Sequence, residues 1–557
     1  MLSYSGGARP GIEREVVGVV LWRRHIGGRP EQSARAVNIA STRLGANSRQ
    51  RLTDRSATLA LHAHEKRGRM KQLAGGGNDP SLGSPTRPGS TWFAEAKFGI
   101  FVHWGLFSVP GFAPRGRYTD VLRDDYGHAM TRNPYAEQYL NAMKDPGSPT
   151  AAFHRRHFGD LPYDGFKAMF EQGLEDWRPD AWADTFQQAG ARYVVMVTKH
   201  HDGFALWPTG VRNPHKAGWC TERDLVGELA DAVRGRGMRF GVYYSGGIDW
   251  TFQPKMMKTL GDYIYSPRGR DYPAYADAQM RELVTRYKPD ILWNDISWPT
   301  GREQLLSLFA DYYDVVPDGV VNDRWQIDSW ARKVMRWKPA RAGFDLLMKQ
   351  LLTARPDLLH NAAPQAVPHA DFTTREYARF DTIQSVEWEA TRGIGNSFGF
   401  NRDETDADYA SFEDDLFPAF ADTVAKNGNL LLDVGPSGGA GVIPAAQLDR
   451  LAAFGDWLRV NGRAIYGTTP WNEAEGETAE GLPVRLTCDS AAVHVLVIGY
   501  PNGRAVTLKA LSLPGSTGTL SADGSPVTVR RRGSDTVLEF TRDLTGIYSP
   551  AVAISRS

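Results

Sequence analysis

The sequence predicts an α/β chain, a (β/α)8-like barrel followed by a C-terminal antiparallel β-sandwich, on three observations. Between Trp92 and about residue 467, seven short apolar runs alternate with amphipathic stretches of helical period. After about Thr468 the helical period stops, and apolar and polar residues alternate around Gly, Asp, Asn and Ser turns. No GxGxxG or P-loop pattern opens any of the helices, which counts against an open nucleotide-binding sheet.

Residues 1–90 are rich in Arg, Ser, Gly and Pro, without sustained periodicity, and read as a disordered extension. Between residues 1 and 69, 12 Arg and one Lys face five acidic residues, a bias shared by transit peptides and by mistranslated upstream sequence, so Met70 reads as a plausible true start. The barrel is expected over 91–467. Its buried strands are read in FGIFVHW (98–104), YVVMVTKHH (193–201), RFGVYYS (239–245), DILWND (290–295), GVVNDRW (319–325), SVEWEA (385–390) and NLLLDVG (429–435). In the helical stretch DLVGELADAVRGRG, Leu225, Val226, Leu229, Ala230 and Val233 share a face and Gly237 can close the last turn. The sandwich is expected over 468–557 and reads as a packing module, since it carries few groups suited to catalysis.

With 65 basic and 64 acidic side chains, the net charge of +1 recommends neither nucleic acid nor an anionic membrane as partner. Cys220 and Cys488 are too few and too far apart for a disulfide framework or a CxxC site. No apolar run approaches the roughly 20 residues of a membrane helix. The early run VVGVVLW is too short for a signal peptide and is followed at once by Arg23 and Arg24, so a soluble and cytoplasmic protein is expected. A homo-oligomer stays open.

Barrel enzymes gather their chemistry where strands end. Here the strands end in His103, in His200 and His201, in Tyr243, in Asp295, in Arg324 after Asn322 and Asp323, and in Glu387 and Glu389. Each alone has a dull explanation, because polar residues mark the exit of any strand from a core. Six strands ending in groups of both signs describe one polar pocket. The adjacent pair His200 and His201 points to opposite sides if still extended, and neither HExxH nor HxH occurs at the strand ends, so no metal is expected. No GxSxG elbow offers a serine nucleophile. Carboxylate chemistry remains, with Asp295 set between Trp293 and Trp298 and Arg324 available to keep it ionised.

The blocks KFGIFVHWGLFSVPGF, NPYAEQY, TKHHDGFALW, DILWNDISWP, VNDRW, EWEATRGIGNSFGFNRDE and GNLLLDVGPSGGAGVIP, in this order, resemble the retaining α-L-fucosidases of glycoside hydrolase family 29 from about Trp92 to about Trp471. The resemblance implies Asp295 as nucleophile and no cofactor, with a fucosylated glycan or glycoconjugate as substrate. It implies that His103, Glu137, His200, His201 and Tyr243 bind sugar hydroxyls, with Arg324 beside the acid/base and Trp298 at the substrate. Phe398 and Ile296 would form an apolar wall for the fucose methyl, while Phe204 and Trp207 pack under their loop. The DFTTREY segment points to Glu376 as general acid/base, with Glu389 as rival and Glu387 behind it. Two departures from the family stand out, Gln138 after the glutamate and a long basic insertion near 326–370 that is expected to form a helical excursion over the barrel mouth. The reaction would need one carboxylate charged and one protonated. Another retaining barrel glycosidase, or a non-catalytic carbohydrate-binding relative, is the alternative.

Overall fold

A computed structural model describes residues 91–265, 268–327, 330–355 and 366–556. The extension expected over 1–90 and residues 356–365 of the insertion lie outside these. Eight parallel strands form the first sheet: β1 (Phe98–Val102), β2 (Tyr193–Lys199), β3 (Arg239–Ser245), β4 (Ile291–Asp295), β5 (Val320–Val321), β6 (Thr373–Glu376), β7 (Trp388–Gly393) and β8 (Gly428–Val434). Their order is β5-β4-β3-β2-β1-β8-β7-β6, as successive crossovers from the middle strand dictate. β1, β2, β4 and β8 are buried along their whole length, which is why they read as unbroken apolar runs.

β6 escapes a sequence reading because Thr-Thr-Arg-Glu has neither apolar content nor length; only Thr374 is buried. Among the described residues, no continuous ladder joins β6 to β5; point contacts made by Asp371 and Asp323 do. Asp371 donates its amide to the Val321 carbonyl at 2.9 Å and its carboxylate accepts the Val321 amide at 2.8 Å. Asp323 accepts from the amide and hydroxyl of Thr374 at 2.9 and 2.7 Å.

Strand parity organises the interior. Phe101, Val195, Val197, Tyr243, Ile291, Trp293 and Leu431 point inward and form one cluster. Ile100, Val194, Val242 and Leu292 point outward to the helices. The helix Leu225–Arg234 shows the outer layer: Asp224 accepts the Gly227 amide at 3.0 Å as its cap, and Leu225, Val226, Leu229, Ala230 and Val233 are buried on the sheet. Gly237 follows in the left-handed region at φ 75°.

From Thr469 the chain forms one eight-stranded antiparallel sheet, β9 (Thr469–Glu477), β10 (Pro483–Cys488), β11 (Ala492–Val497), β12 (Ala505–Leu508), β13 (Thr517–Leu520), β14 (Pro526–Arg532), β15 (Asp535–Phe540) and β16 (Ala551–Ser555). The sheet folds over a core of its own and returns on itself, where the Lys509 amide donates to Glu477 and the Ala479 amide to Thr507. It docks on the outer helices of the barrel through Arg485 to Asp422 at 2.7 Å and Trp457 to the Ser549 carbonyl at 3.0 Å. Among the described residues, no helix is long and apolar enough to cross a membrane.

Candidate active site

Inward parity carries two strand ends into one cavity and sets a third directly behind it. Two residues beyond Phe101 comes His103, two beyond Trp293 comes Asp295, and two beyond Leu431 comes Asp433. The cavity, of about 400 Å³, is lined by His103, Glu137, His200, His201, Tyr243, Asp295, Ile296, Arg324, Glu376 and Phe398, with Trp293 and Phe101 as floor. Ten of the expected site residues therefore meet in one place.

Asp295 ends β4 and is held by three donors. The Tyr243 hydroxyl donates to Oδ2 at 2.9 Å, Arg324 Nη1 to Oδ1 at 3.0 Å, and the Ile296 amide to the same Oδ1 at 2.9 Å. Reaching back to the carboxylate puts Ile296 at φ 69° and Ser297 at φ 150°, a left-handed turn that costs a β-branched residue of order 1–3 kcal/mol. The neighbouring loop must yield: a Cβ at Gly246 would lie 2.2 Å from Asn294 Oδ1 and one at Gly247 would lie 2.7 Å from Ile296 Cβ. Past this turn the chain runs behind the site, so Trp298 differs from expectation. It is fully buried against Trp325, centroids 4.9 Å apart, and does not line the cavity.

Arg324 joins the two carboxylates, its Nη1 lying 3.0 Å from Asp295 Oδ1 and 2.7 Å from Glu376 Oε1. Its Nε donates to Thr374 at 2.9 Å, and its plane sits over Trp293. Glu389 lies elsewhere. It stands near the start of β7, paired with Asn429, because the strand begins at Trp388 and runs on to Gly393 instead of ending at Ala390. Fully buried below the floor, it accepts from the Tyr193 hydroxyl at 2.7 Å and from Trp293 Nε1 at 2.9 Å, and burial pushes its carboxyl up to about 7. Glu387 precedes the strand and faces Lys97, at the end of the barrel away from the cavity.

The run Lys199 to Asp202 divides between cavity and scaffold. The register of β2 slips between Val197 and Lys199, which turns Lys199 outward to Asp249 at 2.8 Å, both fully buried. Removing one member of such a pair costs about 3–5 kcal/mol. Asp202 accepts from the Tyr163 hydroxyl and the Phe204 amide, and Phe204 and Trp207 are core. The strand has ended before His200, so the two histidines do not splay; both line the cavity with centroids 4.1 Å apart. Burial lowers the pKa of His103, His200 and His201 well below the usual range, so all three rings are neutral.

His201 is engaged on both nitrogens. Ser245 Oγ gives its proton to the Ile248 carbonyl, so His201 Nδ1 donates to Ser245 Oγ at 2.6 Å and Nε2 accepts from the Tyr263 hydroxyl. His200 Nδ1 has no hydrogen-bond partner among the described residues. His103 Nδ1 contacts Asp433 Oδ1 at 2.5 Å, leaving Nε2 for a ligand. Glu137 Oε2 accepts the Gly399 amide at 3.0 Å, and burial raises its carboxyl to about 7. Phe398 lies tilted by 37° to His103, centroids 5.2 Å apart. Gln138 donates to Tyr263 at 3.4 Å.

Asp433 and Tyr263 were not among the expected residues. A lone acid at inward parity in NLLLDVG could have revealed Asp433, whereas Tyr263 comes from a six-residue helix, Leu260–Tyr265, with no strand pattern to place it.

A family profile described as Alpha-L-fucosidase matches residues 78–463. An alpha-L-fucosidase from Branchiostoma floridae is 32% identical over 451 residues, covering 79% of this chain and 86% of the relative. Tissue alpha-L-fucosidase from Bos taurus is 31% identical, covering 76% and 77%. The crystal structure of Thermotoga maritima alpha-fucosidase in complex with a mechanism-based inhibitor superposes with a TM-score of 0.70 at 36% identity, covering 86% of this chain and 99% of that one. With a barrel that brings its strand-end acids together and a family match over well more than half its length, the chain belongs to the alpha-L-fucosidase family, glycoside hydrolase family 29.

Proposed function

We propose that the protein hydrolyses terminal α-L-fucosyl linkages of glycans or glycoconjugates with retention of configuration, through a covalent fucosyl-enzyme on Asp295 and with Glu376 as general acid/base. One observation carries this reading: a single guanidinium nitrogen of Arg324 lies within 3.0 Å of oxygens of both carboxylates. That sharing brings the two groups closer than the ~6.5–9.5 Å at which inverting enzymes leave room for a water, and favours the shorter spacing of retaining ones.

In the first step an Asp295 oxygen attacks the anomeric carbon as the glycosidic bond breaks and the leaving oxygen takes the Glu376 proton. A water then attacks the same carbon, Glu376 accepts its proton, and the Asp295 carboxylate is released. Arg324 balances whichever carboxylate is charged. Glu389 suits the acid/base role poorly, because both of its oxygens are occupied and it does not line the cavity. Fucose carries a methyl where galactose carries a hydroxymethyl, and Phe398 with Ile296 offers that methyl an apolar wall. His103, His200, Glu137 and Tyr243 supply the polar contacts for the hydroxyls. His201, with both nitrogens engaged, holds the Tyr263 ring in place at the cavity.

The test is hydrolysis of an aryl α-L-fucoside beside aryl α-L-rhamnoside and β-D-galactoside, with the first-formed anomer followed by NMR. Activity confined to the other two glycosides would reject the substrate, and a β-L-fucose first product would reject retention.

A further inference from the structure

The insertion places two helices, Trp330–Met335 and Lys338–Ala354, against the cavity's outer wall. That wall comes from two other helices: Tyr118, Thr119 and Leu122 from Tyr118–Asp124, and Leu260, Tyr263 and Ile264 from Leu260–Tyr265. Asp345 ties them together. Its Oδ1 accepts from the Tyr126 hydroxyl and from the Gly261 amide, each at 2.9 Å, and its Oδ2 accepts from the Thr259 hydroxyl at 2.8 Å. The approach is so close that a Cβ at Gly261 would lie 2.6 Å from Asp345 Oδ1. Arg341 adds an ion pair to Asp262 at 3.1 Å, Phe344 packs edgewise on Tyr265, and Leu352 is fully buried with Leu122, Tyr126 and Leu260.

The wall stands on the leaving-group side. The sugar half of the cavity is closed by strand-end groups; Glu376, which gives its proton to the leaving oxygen, stands toward the open end, its side chain 35% exposed against 12% for Asp295, and the wall lines the cavity there. Its polar atoms are turned to the protein: the Tyr118 hydroxyl donates to Met130 Sδ at 3.3 Å, the Tyr263 hydroxyl donates to His201, and Arg332 Nη2 donates to the Ile264 carbonyl at 3.2 Å. The rings of Tyr118 and Tyr263 and the side chains of Leu122, Leu260 and Ile264 give the wall an extended ring and alkyl surface, beside Thr119 and Arg332.

We propose that the 330–355 segment braces the leaving-group wall, that Asp345 is its positioning residue, and that the wall selects α-L-fucosides whose leaving group presents an apolar face. The proposal rests on the fucosidase reading of the same cavity. It concerns the group next to fucose, whereas that reading concerns fucose itself.

Two measurements test it on the full chain. For the wild type, phenyl and methyl 1-thio-α-L-fucosides are compared as competitive inhibitors; the wall should make the phenyl compound bind about tenfold more tightly. Equal affinity would overturn the selection of an apolar face. In the second measurement, Asp345→Ala should raise KM for 4-nitrophenyl α-L-fucoside about tenfold while kcat/KM for α-L-fucosyl fluoride, whose leaving atom does not reach the wall, stays within about twofold. Asp345→Asn, which keeps a carbonyl acceptor, should restore part of the loss. Equal losses on both substrates, or no loss on either, would overturn the positioning role, and should Asp345→Ala fail to fold, Arg341→Ala is read by the same ratio. Failure of the fucosidase reading looks different: the wild type would turn over neither substrate and bind neither thiofucoside.

Discussion

Asp433 Oδ1 and His103 Nδ1 lie 2.5 Å apart, both side chains buried, at the ends of the neighbouring strands β8 and β1. Burial pushes the Asp433 carboxyl well up and the His103 imidazole well down, so the low-dielectric site favours the neutral form of each. Their contact fixes the ring so that Nε2 is presented to the cavity. Asp433→Leu should therefore reduce kcat/KM for an aryl fucoside by about 10- to 100-fold, and Asp433→Asn, which can still hydrogen-bond Nδ1, should retain most of it. Steady-state kinetics on the two variants checks this.

The two carboxylates bridged by Arg324 should fail differently. Asp295→Ala should lower hydrolysis by orders of magnitude for every leaving group, with azide restoring turnover to an inverted fucosyl azide. Glu376→Ala should spare the first step on an activated aryl fucoside and give a retained azide product. Leaving-group dependence found in Glu389→Ala instead would move the acid/base to Glu389.

Glu389 makes stability depend on pH in a direction opposite to that of an ordinary surface carboxylate. Its folded pKa of about 7 lies above the 4.5 of a free glutamate, so the folded state holds a proton that the unfolded chain has lost. Its contribution is complete below about pH 4.5 and disappears as pH rises through 7. Glu389→Gln should flatten the fall in unfolding free energy between pH 5 and 7.5 by up to about 3 kcal/mol, measured by denaturant titration.

Phe398 should set the preference for a methyl over a hydroxymethyl. Phe398→Ala opens the wall beside His103, so the ratio of kcat/KM for aryl α-L-fucoside over aryl α-L-galactoside should shrink by about tenfold. An unchanged ratio would place the methyl elsewhere.

Seven of the eight barrel strands were legible because buried parallel strands are written as apolar runs, and the eighth was not because β6 is a four-residue polar segment held by its neighbours. The same logic explains the site. Asp295, His103 and Tyr243 stand at strand ends, where the pattern itself marks the exit. Trp298 looked equivalent in one dimension, but the left-handed turn at Ile296 and Ser297 carries it into the core. Glu389 looked terminal only while β7 was read as ending there. The engagement of both His201 nitrogens depends on Ser245 and Tyr263, two partners that no local pattern couples to it.

The seam between β5 and β6 has a bearing on how this fold can be altered. A continuous ladder transmits register, so lengthening a connection within it risks sliding one strand on the next. At the seam, alignment rests on Asp371 gripping Val321 and Asp323 gripping Thr374, two point attachments that stay in place whatever length of chain loops out between Arg324 and Asp371. The barrel thus carries a port for grafting: foreign loops can be exchanged there, beside the bound sugar, while the other seven strand pairings stay as they are.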